Sequence, residues 1–410
     1  MTHQPWDGMR SDRRAFLRAL AAGSVAAVAA CQQPAATNSG GAAAPAGAAP
    51  PPPAGGAANG DDWEARWNAL IEAARREGAL VLNGPPTPET RVRVPEAFTR
   101  RFGVAVEYNS LRSNDLAPRL IAEKQAGATS VDVTLNGLGT IADDLYPAGV
   151  LADLRPHLIL PEVTDPAVWA TDSLFVDPEQ QKVLRLLVQK TALLAINRDY
   201  LDPARIRLAA DLLLPEFKGK IVGDDPTVGG PGRATAVALY VLMGEEFVRK
   251  LYGEQIAITR DPRQGSDGLA RGTYPISLAL VPAEAERLRQ EGFPIEVVGS
   301  LPDLTGWTAG GFGLCTLVEG GPHPNAAQLF VNWLASREGL ETFSRAERLA
   351  GTRNDLDYAQ WVPAYTIPVP GVAYLDTYDW EFKTQRQPPV QAKIREIALG
   401  ARPAGAEPRP

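Results

Sequence analysis

The side chains able to do chemistry in this 410-residue chain are amides, hydroxyls and arginines set among glycines, gathered in a few short stretches. Asn83-Gly84-Pro85-Pro86-Thr87 and Asn136-Gly137-Leu138-Gly139-Thr140 pair polar side chains with glycine, whose missing Cβ lets backbone N–H groups approach a ligand. Both stretches also read as ordinary turn chemistry. Asp224-Asp225-Pro226-Thr227-Val228-Gly229-Gly230-Pro231-Gly232-Arg233 opens a predicted helix, so its free N–H groups and positive dipole end suit an anion. Arg260 and Arg263 add charge-assisted hydrogen bonds, with Asp224, Asp225, Asp261 and Asp267 as alternative partners for the same arginines. Trp307, in Thr305-Gly306-Trp307-Thr308, supplies either an apolar wall to a cleft or packing for a hinge. The candidate ligand-binding residues are Asn83, Gly84, Thr87, Asn136, Gly137, Gly139, Thr140, Asp225, Gly232, Arg233, Arg263 and Trp307.

Catalysis has little to work with. The chain has 3 histidines and 2 cysteines. His157 precedes an apolar run and His323 sits between two prolines, so both read as structural. Cys315 lies in an apolar, Gly-rich run without a disulfide partner. No nucleophile elbow, HExxH pair, P-loop or EF-hand loop is present. Gly137-Leu138-Gly139-Thr140-Ile141-Ala142 matches the dinucleotide pattern, but it follows the third strand of its unit and lacks the acid that motif expects about 20 residues on. No cofactor is expected.

These stretches need a frame that brings them together. Asp61-Asp62 precede a helical pattern of Trp63, Trp67, Leu70, Ile71 and Ala74 that stops at Gly78. Apolar runs at 79–82, 104–108 and 131–135 alternate with helical stretches, a β-α-β-α-β rhythm of about 25 residues that marks a parallel, doubly wound sheet. Pro95 and Pro118 fall inside the two helical stretches and predict a kink or a later start. The rhythm recurs with strands at 220–223, 256–259, 276–280 and 295–298 and helices at 233–243, 264–271 and 283–290. Apolar runs at 191–197 and 309–317 flank this second unit, so two crossovers between two α/β lobes predict a hinge and a cleft. Ligands of open α/β sheets bind beyond strand carboxyl ends where strand order reverses. A 2-1-3 winding places the loops after Leu82 and Leu135 there, and their counterparts in the second lobe are 224–233 and the loop after Leu280.

The N-terminus carries export information. Arg13-Arg14 with Phe16-Leu17 resembles a twin-arginine signal, and Val28-Ala29-Ala30-Cys31 resembles a bacterial lipobox, which implies cleavage before Cys31 and lipidation of its thiol. An ordinary Ala-rich secretory signal with an incidental cysteine is the alternative. The twelve small or apolar residues 19–30 would span roughly 18 Å as helix, short of the ~30 Å hydrocarbon core. Residues 32–60 are uncharged, and Ala, Pro and Gly fill 23 of 29 positions, the composition of a tether. Loss of residues 1–30 removes four Arg and two Asp, taking the net charge from −7 to −9, which argues against nucleic acid or a polybasic membrane patch.

His323-Pro324-Asn325-Ala326-Ala327, Phe330, Trp333-Leu334 and Ser336-Arg337-Glu338-Gly339 resemble the late helix of bacterial extracellular solute-binding proteins of family 1. Leu194-Ala195-Ile196-Asn197, Gly219-Lys220-Ile221-Val222 and Arg271-Gly272-Thr273-Tyr274-Pro275-Ile276 resemble that family in the same order, over roughly residues 63–395 and with an iron(III)-importer flavour. The resemblance implies an α/β fold of two doubly wound lobes on a two-crossover hinge, the type II periplasmic binding fold. It further implies a monomeric receptor that closes on a small solute and delivers it to an ABC permease in the inner membrane. On this reading residues 1–30 are signal, 31–60 lipid-anchored linker, 61–194 with 308–410 lobe 1, and 195–307 lobe 2. The mature protein is expected in the periplasm or at the cell surface, tethered through Cys31. The solute is expected to be a small anion or a chelated metal such as ferric iron. Ferric-binding relatives use an adjacent tyrosine pair, which this chain lacks. A polyamine-type cation, held by Asp224, Asp225 and Trp307, and a lipid-anchored enzyme on the same fold are the alternatives.

Overall fold

In the computed structural model, which describes residues 63–111, 113–170, 174–228 and 230–400, the strands begin with β1 (Ala79–Asn83), β2 (Ala105–Asn109), β3 (Val133–Asn136), β4 (Leu184–Arg185), β5 (Leu187–Lys190), β6 (Leu194–Asn197) and β7 (Ile221–Asp224). They continue as β8 (Ile256–Thr259), β9 (Ile276–Leu278), β10 (Ile295–Val298), β11 (Trp307–Ala309), β12 (Leu314–Leu317), β13 (Ala350–Gly351) and β14 (Leu375–Asp376). All belong to one compact unit. The expected signal, lipobox Cys31 and the tether lie outside the described residues.

The first sheet has the order β2-β1-β3-β12-β4, with β1 parallel to both neighbours and β12 antiparallel to β3. Leu80, Leu82, Val133 and Leu135 are fully buried, which is why these strands read as unbroken apolar runs. The connecting helices are Pro88–Phe102 and Ser113–Gln125. Neither starts late. The first continues through Pro95, whose missing N–H frees only the carbonyl of exposed Arg91, and it stops at Gly103 in the left-handed region with φ 75°.

Helix Pro324–Ala335 packs on helix Trp63–Glu77, and Phe98 of helix Pro88–Phe102 meets its Phe330 and Trp333 at centroid distances of 5.1 and 5.4 Å. The Glu77 carboxylate accepts the N–H groups of Asn325 (3.1 Å) and Ala326 (2.7 Å), satisfying donors that a helix start leaves open. Asp132 holds His323 Nδ1 at 2.9 Å and accepts the Val81 N–H at 2.7 Å. His323 is thus structural, and Cys315 is fully buried.

The second sheet, β10-β6-β9-β7-β8, repeats the winding: β7 lies between its parallel partners β8 and β9, while β6 and β10 run antiparallel. A third sheet, β13-β5-β11-β14, forms the hinge. The chain passes from β4 through β5 to β6, and returns from β10 through β11 to β12. The two crossovers pair antiparallel at Thr308↔Lys190 and Ala309↔Gln189.

The tail departs from the expected lobe assignment. After β14 pairs in parallel with β11, Phe382, Ile394 and Ile397 enter the second core, and helix Gln387–Gly400 packs on helix Pro231–Met243. The chain therefore crosses between lobes a third time, because the apolar face of this last helix is buried against lobe 2. Arg185 of β4 anchors the crossing through a bidentate pair with Asp376 at 2.6 and 3.1 Å.

Candidate functional site

A cavity of about 590 Å³ opens where the loop after β3, the start of helix Pro231–Met243, the crossovers and the tail meet. Gly137, Gly139 and Thr140 line it from lobe 1, and Arg233 lines it from lobe 2, as the winding rule predicts. A Cβ on Gly137 would stand 3.2 Å from Gly311 O and 3.3 Å from the Tyr378 hydroxyl, so glycine is what allows this close approach.

The remaining expected residues do not line the cavity. Asn83 and Asn136 are buried behind it at the ends of β1 and β3; Asn83 Oδ1 accepts the Leu111 N–H at 3.1 Å, and both side-chain Nδ2 atoms lack a hydrogen-bond partner among the described residues. Gly84 is required instead by Tyr108, whose hydroxyl would lie 2.3 Å from an added Cβ. The Thr87 hydroxyl bonds Glu347 beside the start of helix Pro88–Phe102. Asp225 is consumed by its own turn, accepting Thr227 N–H (2.8 Å), Thr227 Oγ1 (2.6 Å) and Arg260 Nε (2.8 Å). Against the effect of burial, these bonds hold its carboxyl below the ordinary carboxylate range. Gly232 permits a backbone contact, since its Cβ would meet Asp224 O at 2.7 Å. Arg263 is exposed, and its N–H bonds the Asp261 side chain that caps helix Pro262–Ala270. Trp307 is buried in the second core, so the hinge-packing alternative holds.

Residues missed by the sequence reading complete the wall: Gln189 and Phe312 from the crossovers, then Tyr378, Lys383, Gln387 and Gln391 from the tail. A local signal did exist. Lys383, Gln387 and Gln391 recur every four residues, a polar stripe on an element that buries Phe382, Ile394 and Ile397. The Tyr378 hydroxyl donates to Gly311 O, and burial pushes its pKa up to about 12.

The lining charges are Arg233, Lys383 and Asp143. Lys383 Nζ lies 2.7 Å from Asp143 Oδ2, so the pair is self-neutralised and Arg233 is left as the uncompensated charge. Among the described residues its side chain makes one hydrogen bond, to Thr227 O at 3.4 Å. The first turn of helix Pro231–Met243 presents free N–H groups beside it and has no acidic residue. This arrangement can hold an anion. Among the described residues no group of three His, Cys, Asp or Glu is placed to hold a metal ion. A separate cavity of about 400 Å³ at edge strand β10 is lined by charges that are already paired, Arg198 with Glu296 at 3.7 Å and Arg289 with Glu286, outside the lining, at 2.7 Å.

Two doubly wound lobes, a paired-crossover hinge and a polar cavity between them define a solute-binding protein of the type II periplasmic fold. Solved structures share the architecture. Iron-bound HitA from Pseudomonas aeruginosa aligns with a TM-score of 0.58 at 17% identity, covering 78% of this chain and 99% of its own. A Trichodesmium protein (IdiA, FutA) in complex with iron and citrate gives 0.59 at 16% identity, over 78% and 99%. AfuA from Actinobacillus pleuropneumoniae, with fructose-6-phosphate bound, gives 0.54 at 18% identity, over 79% and 97%. An uncharacterized Haemophilus influenzae protein is 32% identical over 136 residues, 32% of this chain and 38% of that protein's length. Residues 83–341 match the bacterial extracellular solute-binding protein family, so the chain belongs to that family, the substrate-binding components of ABC transporters. It is a binding protein, and the enzyme alternative falls.

Proposed function

We propose that this protein is the lipid-anchored receptor of an ABC importer and that its lobes close on a small anion in the cavity around Arg233. The observation that carries this reading is a single uncompensated guanidinium beside an open helix start, on a wall shared by both lobes and the tail. Thr140 and the backbone of Gly137 and Gly139 supply hydrogen bonds from lobe 1, while Gln189, Gln387 and Gln391 supply neutral donors and acceptors. The solute therefore makes contacts in the closed state that are absent when the lobes part, which is the differential affinity that closure requires.

A directly bound ferric ion fits less well. The cavity offers one phenol, already donating to Gly311 O, and one carboxylate, held by Lys383. Iron would have to bring its own chelating anion. Export through the twin-arginine-like signal, cleavage before Cys31 and acylation of its thiol would tether a monomer through the uncharged linker, within reach of the permease.

The test is a thermal-shift panel of inorganic phosphate, sugar phosphates including fructose 6-phosphate, citrate, ferric citrate and polyamines. A true ligand at a hundredfold excess over Kd adds about 2.7 kcal/mol of stability. Stabilisation by polyamines, with no response to any anion, would refute the anion reading. Cys31→Ser should move the protein from the membrane to the soluble fraction; unchanged membrane association would refute the anchor. Light scattering on the mature protein tests the monomer.

A further inference from the structure

Behind the first turn of helix Pro231–Met243 lies a smaller pocket of about 110 Å³, at the reversal point of the second sheet between β7 and β9. Pro231 lines both this pocket and the main cavity. Three polar side chains line this space and the crevice that adjoins it. The part-buried Asp224 carboxylate ends β7 and has no hydrogen-bonding or ionic partner among the described residues. Ser277, only 4% exposed, lines the pocket from β9, and no hydrogen bond engages its hydroxyl among the described residues. Tyr252, 3% exposed, lines an adjoining crevice with Asp224, and its hydroxyl is likewise unengaged. Glu284, on the far wall, is already neutralised by Arg287 at 2.8 Å.

Polar groups in native proteins are almost always satisfied, so a carboxylate and two hydroxyls without a protein partner, on one pocket and the crevice beside it, leave donors to be supplied by a ligand or by water. We propose that Asp224, Tyr252 and Ser277 form a subsite for the primary ammonium group of the solute. An ammonium has three N–H donors and no acceptor. The subsite offers three kinds of acceptor oxygen: carboxylate, phenol and hydroxyl. A ligand hydroxyl would donate one hydrogen bond and leave the carboxylate charge unbalanced, whereas a calcium ion would want about six to eight oxygens and finds one carboxylate that is not already paired. At ~30 Å³ per water, the pocket holds roughly three to four waters, enough for an aminomethyl end and little more. Burial also pushes the Asp224 carboxyl above its ordinary range, as expected of an anion awaiting its cation. Taken with the anion reading, on which this part rests, the solute is a small molecule carrying both an anionic group and a primary amine, bound on either side of one helix turn.

Titration calorimetry with O-phosphoethanolamine and ethyl phosphate, together with thermal shifts by ethylammonium chloride against sodium chloride, separates the two proposals. The wild-type protein should bind phosphoethanolamine roughly tenfold or more tightly than ethyl phosphate. Asp224→Asn should abolish that preference and the ethylammonium shift while leaving ethyl phosphate affinity unchanged. Tyr252→Phe should weaken the preference and serves as a second variant that keeps the ring in place. Equal affinities in the wild type without an ethylammonium response, or a preference that survives Asp224→Asn, overturns the subsite. An ethylammonium shift lost in Asp224→Asn, with no binding of either phosphate ester, supports the subsite and overturns the anion reading instead.

Discussion

Arg233→Ala is the sharpest perturbation of the main cavity. With Lys383 held by Asp143 at 2.7 Å, the substitution takes the lining from one net positive charge to none. A hydrogen bond to a charged group is worth about 1.5–3 kcal/mol, and each ~1.4 kcal/mol is tenfold in Kd, so anion affinity should fall roughly 10- to 150-fold. The bare Coulomb figure, ~4 kcal/mol at ~4 Å and an effective dielectric of ~20, is an upper bound, because Arg233 is only part-buried and salt screens it. Calorimetry at low and high salt, with the anion that most stabilises the wild type, reads both the loss and its screening. Arg233→Lys keeps the charge but not the fork geometry and should fall between. Folding should not suffer. A cation in the first turn of a helix opposes the macrodipole by about 0.3–1 kcal/mol, so the unliganded variant should melt no lower than the wild type. Affinity within twofold of wild type, with an unchanged salt dependence, would refute the reasoning. A lowered melting temperature would show that Arg233 serves the fold.

Asp143→Asn should release Lys383 and tighten anion binding several-fold, whereas Lys383→Met should weaken it; calorimetry reads both, and changes of the same sign would contradict the charge balance. Gly232→Ala forces a Cβ to within 2.7 Å of Asp224 O and should cost about 1–3 kcal/mol in urea unfolding, as overpacking does. Burial pushes the Glu347 carboxyl up, against hydrogen bonds from Thr90 and Thr87. A folded pKa above the unfolded value contributes stability at low pH that is lost as pH rises through the folded pKa. Glu347→Gln should therefore melt above the wild type at about pH 7.5 and no higher near pH 4; a constant difference would contradict the assignment.

Much of the frame was legible because its causes are local. β1 and β3 lie buried between helices, so they must be unbroken apolar runs, and the pattern shows them to within a residue or two. The 2-1-3 winding then points to Gly137, Gly139, Thr140 and Arg233 through a rule of topology. The same rule over-reached at Asn83, Thr87 and Asp225. Their polar side chains are used by a neighbouring strand end, a helix start and a turn, and composition does not distinguish a satisfied amide or carboxylate from a free one.

By itself the sequence determined two winding units and a hinge, together with a family kinship spanning residues 83–341. Only the tertiary structure decided the far wall of the cavity. Tyr378, Lys383, Gln387 and Gln391 reach it because β14 pairs with β11 and Asp376 with Arg185, 191 positions away in the chain. Lys383 meets Asp143 across 240 positions. Contacts of that separation leave no periodicity to read, since each partner looks locally like any exposed polar residue. Whether a charge is spent or free, as for Lys383, Arg233 and Asp224, depends on which neighbour the fold brings within about 4 Å.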